Sequence, residues 1–167
     1  MKTKNVHFMT QAAVIAAIYV ILTFLANTLG LASGVIQVRL SEMLTVLPYF
    51  TTAAIPGVTI GCLISNILTG CSLLDIVFGT LATLLGALGS YWLRKHKFLV
   101  PIPPIVANII IVPWVLRISY GVPDAIPYMM LTVGIGEIIS CGILGTILLI
   151  ALNKYKHVIF HTSLNQN

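Results

Sequence analysis

Charged side chains are scarce in this sequence, and their scarcity excludes most classes of soluble protein. Only 8% of the 167 residues are charged, and only four residues are acidic. A soluble globular domain carries about 25% charged residues, which cover its surface. The chain is instead 58% hydrophobic, and its mean hydropathy of +1.03 is typical of an integral membrane protein.

Motifs for catalysis and nucleotide binding are also missing. The sequence has no G-x-x-x-x-G-K-[ST] P-loop, no H-E-x-x-H zinc motif and no G-x-S-x-G nucleophile motif. Its three cysteines, Cys62, Cys71 and Cys141, have no C-x-x-C spacing, which argues against a structural disulfide or a metal site. The net charge of +5 lies in short clusters, which argues against nucleic-acid binding. We therefore expect neither an enzyme nor a bound cofactor.

Apolar segments predict an all-α integral membrane protein with one domain, residues 1–167, and six transmembrane helices. The stretch 42–68 permits either one long kinked span or two short spans that turn at Pro56 and Gly57. With two short spans, the predicted helices cover residues 8–30, 42–54, 56–68, 74–93, 104–118 and 126–152.

The positions of the cations favour six spans over five. If Lys2 is cytoplasmic, six spans place seven of the nine Lys and Arg residues on the cytoplasmic side, including the cluster 94–97. Five spans would place that cluster outside. Both termini are therefore predicted to be cytoplasmic, and the first loop is predicted to lie on the outer side.

Glu137 is the most informative single residue, because it lies near the middle of the last predicted span. A carboxylate facing lipid there would cost about 2.5–3.5 kcal/mol, so we expect its side chain to face the bundle interior. It could pair with Asn108 or Asn66 and hold helices together, or it could accept N–H groups of a polar ligand. The two asparagines have the same two interpretations.

Arg39 and Glu42 lie three residues apart in the stretch QVRLSEMLTVLPYF, at the start of the second predicted helix. One interpretation is local: Ser41 caps the helix, Glu42 complements the helix dipole and Arg39 pairs with Glu42. The other is a role in gating a substrate at the outer face. Asp75, at the start of the fourth predicted helix, has the same two interpretations.

Two further groups of residues are ambiguous in the same way. Trp114 and Tyr128 fit either an interfacial aromatic belt or a platform that stacks on a ligand. Small residues spaced four apart let helices approach closely in a membrane, either within one chain or between subunits. The first predicted helix has two such pairs, formed by Ala12, Ala13, Ala16 and Ala17.

Five strings in the order RLSEMLTVLPYF, IPGVTIGCLISN, LLDIVFGTLATLL, PIPPIVANIIIV and GIGEII resemble the queuosine precursor transporter (QueT) family. The resemblance covers residues 12–152. It implies the substrate-binding S component of an energy-coupling factor (ECF) transporter, a multi-pass protein of the bacterial cell membrane. The implied ligand is a 7-deazaguanine, such as 7-aminomethyl- or 7-cyano-7-deazaguanine, captured at the outer face. The implied partners are an ECF transmembrane coupling subunit and two ATPase subunits.

The resemblance and the chemistry of such a ligand imply roles for the residues singled out above. Arg39 and Glu42 would fix the first outer loop over the pocket, and the alanine pairs of the first helix would contact the coupling subunit. An S component for another vitamin-like molecule, or a stand-alone carrier or channel, is the alternative. Direct ligand contacts are expected from Glu137 to the guanine N–H groups, from Asn66 and Asn108 to its carbonyl or ring nitrogens, from Glu42 or Asp75 to an aminomethyl cation, and from Trp114 or Tyr128 to the ring.

Overall fold

The computed structural model describes residues 2–32 and 36–159, and this part of the chain is all-helical. It is 82% helical, with no strand in these two ranges. The elements are α1 (Lys2–Thr28), a 3₁₀-helix (Leu40–Tyr49), α2 (Ala54–Leu68), α3 (Leu73–Trp92), a 3₁₀ turn (Lys97–Leu99), α4 (Ile102–Tyr120), α5 (Ile126–Glu137), a π-helical stretch (Ile138–Leu144) and α6 (Gly145–Ile159).

Within residues 2–32 and 36–159, four helices are long and apolar enough to cross a membrane. They run over Asn5–Thr28, Leu73–Trp92, Lys97–Tyr120 and Ile126–Lys156, the last of these through the π-helical stretch. The helix predicted over 56–68 is α2, an apolar helix of 15 residues. The segment predicted over 42–54 is the ten-residue 3₁₀-helix. Both lie between the first two long helices, and the count of six spans remains a prediction.

The 3₁₀-helix forms part of the protein core. It contacts α1, α2, α3, the π-helical stretch and α6. Long 3₁₀-helices are uncommon in isolation, because their hydrogen bonds are poorly aligned. Here Pro48 removes one backbone donor, and contacts with the surrounding segments stabilise the helix. Its buried residues are Ser41, Glu42, Leu44, Thr45, Val46, Leu47 and Pro48.

The interpretation of Ser41 as an N-cap is wrong. The 3₁₀-helix begins at Leu40, with Arg39 in the N-cap position and no side-chain capping bond. The Ser41 hydroxyl instead accepts a hydrogen bond from Thr23 Oγ1 on α1, at 2.9 Å. This bond ties the start of the 3₁₀-helix to α1.

Small residues bring α1 and α2 into close contact. A Cβ at Gly57 would lie 3.0 Å from the Ala12 carbonyl oxygen, and a Cβ at Gly61 would lie 3.0 Å from the Ala16 carbonyl oxygen. Gly57 lies by Ala12, and Gly61, one turn further along α2, lies by Ala16, one turn further along α1. The two helices therefore run parallel. The Ala12/Ala16 pair therefore packs within the chain, as small residues commonly do between membrane helices.

Replacing Gly61 with valine is expected to destabilise the fold by about 1–3 kcal/mol, because the added side chain overpacks this contact. Its Cβ would lie 2.7 Å from the Cβ of Tyr19 and would push α1 away. Thermal unfolding in detergent measures the effect. Leu63→Val, at a 38% exposed position of the same helix, is the control. Equal unfolding temperatures for the two variants would contradict the close contact.

Candidate functional site

A cavity of about 510 Å³ lies at the end of the bundle where α1, α2 and α4 end and α3 begins. The cationic cluster 94–97 follows the other end of α3, so the cavity and this cluster are at opposite ends of the bundle. The volume is in the range of small-molecule sites. The polar residues of its wall are Tyr19, Thr23, Asn27, Gln37, Arg39, Ser41, Ser65, Asn66, Thr69, Asp75 and Tyr120.

Arg39 carries the positive charge of the cavity wall. Burial would lower the pKa of its guanidinium, but the carboxylates of Asp75 and Glu42 raise it by more, so the pKa lies above its ordinary value. The side chain therefore remains cationic at any physiological pH. The cavity wall thus combines a fixed cation with the nearby carboxylate of Asp75.

Asp75 is held at the start of α3 by two hydrogen-bonded neighbours. Its backbone N–H donates to the N-cap side chain, Ser72 Oγ, at 3.2 Å. Its Oδ2 accepts a hydrogen bond from the Tyr120 hydroxyl at 3.0 Å, and that hydroxyl accepts from the Ser72 backbone N–H at 3.1 Å. Tyr120 was not a predicted site residue, and it joins the end of α4 to the start of α3 at the cavity.

Asn66 lies on α2, close to Asp75. A Cβ at Gly79 would lie 3.1 Å from Asp75 Oδ1 and 3.3 Å from Asn66 Nδ2, so the amide and the carboxylate flank the same point. Asn66 Nδ2 is also 3.5 Å from Cys62 Sγ. The cavity wall therefore brings together three residues that the sequence analysis proposed for ligand binding: Arg39, Asn66 and Asp75.

Two carboxylates, Glu42 and Glu137, are buried in the bundle next to the cavity wall. They are only 1% and 6% exposed. One carboxylate oxygen of each and the Cys141 sulfur lie within 4.8 Å of one another, and these three residues could together offer ligands to a metal ion. Glu42 Oε1 accepts a hydrogen bond from the hydroxyl of Tyr19, which is itself part of the wall. Tyr19 therefore connects the cavity to the buried acids.

The hydrogen bonds around Cys141 hold the two carboxylate-bearing segments together. Its sulfur lies 3.4 Å from Glu137 Oε2 and 3.2 Å from the Glu42 carbonyl oxygen. The Thr45 hydroxyl donates to the same carbonyl at 2.6 Å. Cys141 lies in the π-helical stretch that follows Glu137, and such stretches are frequent at functional sites.

Three buried polar atoms in this region have no hydrogen-bond partner among the residues that the structure describes. They are Oε2 of Glu42, Nδ2 of Asn108 and Oγ of Ser140. Asn108, on α4, is 4% exposed and lies close enough to interact with both carboxylates. Unsatisfied buried polar groups are rare in proteins, and each one calls for an explanation.

Trp114 and Tyr128 lie outside the cavity wall. They are 53% and 47% exposed on the surface of the bundle. Trp114 lines a separate apolar groove with residues of α3 and α4, including Phe78 and Ile118. The aromatic residues of the cavity are Tyr19 and Tyr120, which hydropathy and spacing did not distinguish from other aromatics in apolar helices.

The two alanine pairs of α1 face different surroundings. Ala16 is buried against α2, and Ala12 is partly buried there. Ala13 and Ala17 are exposed, next to the exposed Ile18. Helix α1 is also the least buried of the four long apolar helices. The Ala13/Ala17 pair therefore lies on the outer surface of the bundle.

A helical membrane bundle with a polar cavity at one end, next to buried carboxylates, is the arrangement typical of membrane proteins that bind a small polar molecule. A family model described as QueT transporter matches residues 9–154. The chain belongs to the QueT transporter family, and it is a multi-pass protein of the bacterial cell membrane. Membership in a transporter family implies a non-enzymatic function.

A curated relative agrees with this assignment over part of its length. The chain is 40% identical over 84 residues to the queuosine precursor transporter QueT of Lactococcus lactis subsp. cremoris (strain MG1363). The alignment covers 50% of this chain and 49% of the relative, so the chain matches about half the length of that protein. No solved structure matches the chain.

Proposed function

We propose that the protein is the substrate-binding S component of an ECF importer and that it captures a queuosine precursor. The candidate ligands are 7-aminomethyl- and 7-cyano-7-deazaguanine. The observation that carries the proposal is the polar cavity, lined by Arg39, Asn66 and Asp75, in a chain of the QueT transporter family. The name of the Lactococcus relative supports the same substrate.

The charges of the cavity wall suit this ligand. The carboxylate of Asp75 would hold an aminomethyl cation, and Asn66 would donate to a ring nitrogen or a carbonyl oxygen. Glu42, Glu137 and Asn108 would form the polar floor beneath. Trp114 and Tyr128 have no part in the proposed site, because both lie outside the cavity wall.

The proposed orientation places the cavity at the outer face. Six spans with cytoplasmic termini put Lys2, Lys4, the cluster 94–97, Lys154 and Lys156 inside, in accord with the positive-inside rule. The two remaining cations, Arg39 and Arg117, then lie at the outer end. A ligand would reach the cavity directly from the outer solution.

The proposed partners are a transmembrane coupling subunit and two ATPase subunits. The sequence has no P-loop, so the energy of ATP must enter through other chains. The exposed Ala13/Ala17 pair on α1 would be the contact with the coupling subunit, since small residues allow close helix packing in a membrane.

A binding titration of the purified protein tests the proposed ligand. We expect 7-aminomethyl- or 7-cyano-7-deazaguanine to bind at least about 100-fold more tightly than riboflavin, biotin or thiamine. Guanine, which lacks the substituent, is expected to bind about tenfold more weakly than the better precursor. Isothermal titration calorimetry in detergent gives these ratios. Tighter binding of one of the three vitamins would contradict the proposed substrate.

A further inference from the structure

We propose, on the basis of the function above, that Glu42 and Asn108 form a buried subsite for the guanine edge of the ligand and that Tyr19 covers it. The edge in question carries a carbonyl oxygen, a ring N–H and an amino group side by side. In this structure the Tyr19 hydroxyl donates to Glu42, and the ligand takes over that bond when it binds.

The buried carboxyl group of Glu42 has fewer hydrogen-bond donors around it than its two oxygens can accept. Its Oε1 accepts from Tyr19, and its Oε2 has no partner among the described residues. The Thr83 hydroxyl lies 3.4 Å from Oε1 but only 3.1 Å from the Gly79 carbonyl oxygen, so its single proton has a nearer acceptor. A buried ionised carboxylate with one firm donor is costly unless further donors arrive.

Asn108 has the opposite shortage, because its side chain has a hydrogen-bond donor without an acceptor. Its side-chain amide group, Nδ2, can donate two hydrogen bonds and has no acceptor among the residues described. Asn108 lies within interacting distance of both Glu42 and Glu137, while Asn108 Nδ2 and Glu42 Oε2 make no hydrogen bond of good geometry among the described residues. Both side chains are more than nine-tenths buried. This combination points to a ligand that carries donors and an acceptor on one edge.

A guanine-type base has that combination. Its ring N–H and amino group can donate to the two oxygens of one carboxylate as a bidentate pair, and its carbonyl oxygen can accept from the Asn108 amide. A base without the amino group would leave one Glu42 oxygen unpaired again. A site built to hydrogen-bond a group rejects the analogue that lacks it, because its own polar atoms then lose their partners.

The contacts favour Glu42 over Glu137 as the acceptor. Among the described side chains, Glu42 is hydrogen-bonded to Tyr19, a residue of the cavity wall. Glu137 is hydrogen-bonded to Cys141, which is not part of the wall. The acceptor role predicted from the sequence for Glu137 is therefore assigned to Glu42.

Two ligands that differ only in the amino group test the subsite. We expect the wild-type protein to bind 7-deazaguanine about 100-fold more tightly than 7-deazahypoxanthine, and Glu42→Gln to reduce this ratio to about threefold or less. Calorimetry on the full chain measures both. Asp124→Asn, at an exposed acidic residue outside the cavity wall, is the matched control and should keep the wild-type ratio. An unchanged ratio in Glu42→Gln would overturn the subsite.

Tyr19→Phe gives a second test, in which the variant is expected to bind the ligand more tightly than the wild type does. Removing the hydroxyl deprives Glu42 of its donor, so the protein should unfold at a lower temperature without ligand. The ligand no longer has to displace that hydroxyl, so 7-deazaguanine should bind about 3- to 10-fold more tightly and stabilise the variant more than the wild type. A Tyr19 that merely packs in the core would give equal or weaker binding, and that result would overturn its role as a cover.

The two tests separate failure of the subsite from failure of the proposed function. If the wild-type protein binds neither 7-deazaguanine nor the two substituted precursors, the proposed function is wrong and the subsite falls with it. If the wild type binds them and Glu42→Gln discriminates as well as the wild type, only the subsite is wrong. If Glu42→Gln does not fold, the sign of the Tyr19→Phe effect decides.

Discussion

Replacing Gly136 with alanine is expected to weaken ligand binding by at least about 100-fold, or about 2.7 kcal/mol. A Cβ at this position would lie 2.1 Å from the carbonyl oxygen of Gln37, well inside the contact distance. Gln37 and Arg39 belong to the segment that forms one wall of the cavity. Because the clash is with backbone, no side-chain rotation relieves it, and the segment with Arg39 must move. Calorimetry with the deazaguanine ligand measures the loss.

Gly142→Ala is the matched control for this substitution. It makes the same chemical change six residues further along the continuous helical run 126–159, where the nearest side-chain atom is 3.6 Å from the new Cβ. This is an ordinary van der Waals distance, and binding should stay within about twofold of the wild type. If Gly136→Ala bound the ligand as well as this control does, the close approach of the first loop to α5 would have no part in binding.

Replacing Ala13 with tryptophan is expected to abolish association with the coupling subunit and leave ligand binding within about twofold. Ala13 is exposed on α1, on a different face from the alanines that pack against α2. A large ring there would keep a partner helix from approaching closely, while the cavity at the end of α1 is unaltered. Co-purification of the coupling and ATPase subunits with the tagged chain measures association.

Ala151→Trp is the control, because it places the same ring at an exposed alanine of α6. This variant should retain the partner subunits. Association that survives Ala13→Trp would refute the α1 interface, and loss in both variants would point to a general effect of a bulky surface residue. Uptake into liposomes by the chain alone, without ATPases, would favour the stand-alone carrier.

The order of the long helices and the interior position of Glu137 could be predicted from the sequence. Both depend on local quantities: the length of an apolar run and the cost of a charge in hydrocarbon. The same applies to Arg39 and Asp75, which the order of the spans placed at one end of the bundle. These predictions needed no knowledge of which helices touch.

The 3₁₀-helix and the role of Tyr19 could not be predicted, because both depend on packing between distant segments. Pro48 indicates a disturbed α-helix, but the sequence does not show that five other segments enclose the result as a buried 3₁₀-helix. Tyr19 is one aromatic residue in an apolar helix, and only its contact with Glu42, 23 residues away, distinguishes it. Likewise, the four-residue spacing of small residues predicted two alanine pairs on α1. It could not predict which of the two pairs packs against α2.

The two short segments after α1 have a consequence for how the protein enters the membrane. At about 1.5 Å per residue, α2 reaches about 22 Å, less than the roughly 30 Å of hydrocarbon. The 3₁₀-helix, with about 2.0 Å per residue, reaches about 20 Å and carries the buried Glu42. Neither segment is long enough to span the hydrocarbon by itself. We therefore expect both segments to enter the membrane only together with the helices that cover them.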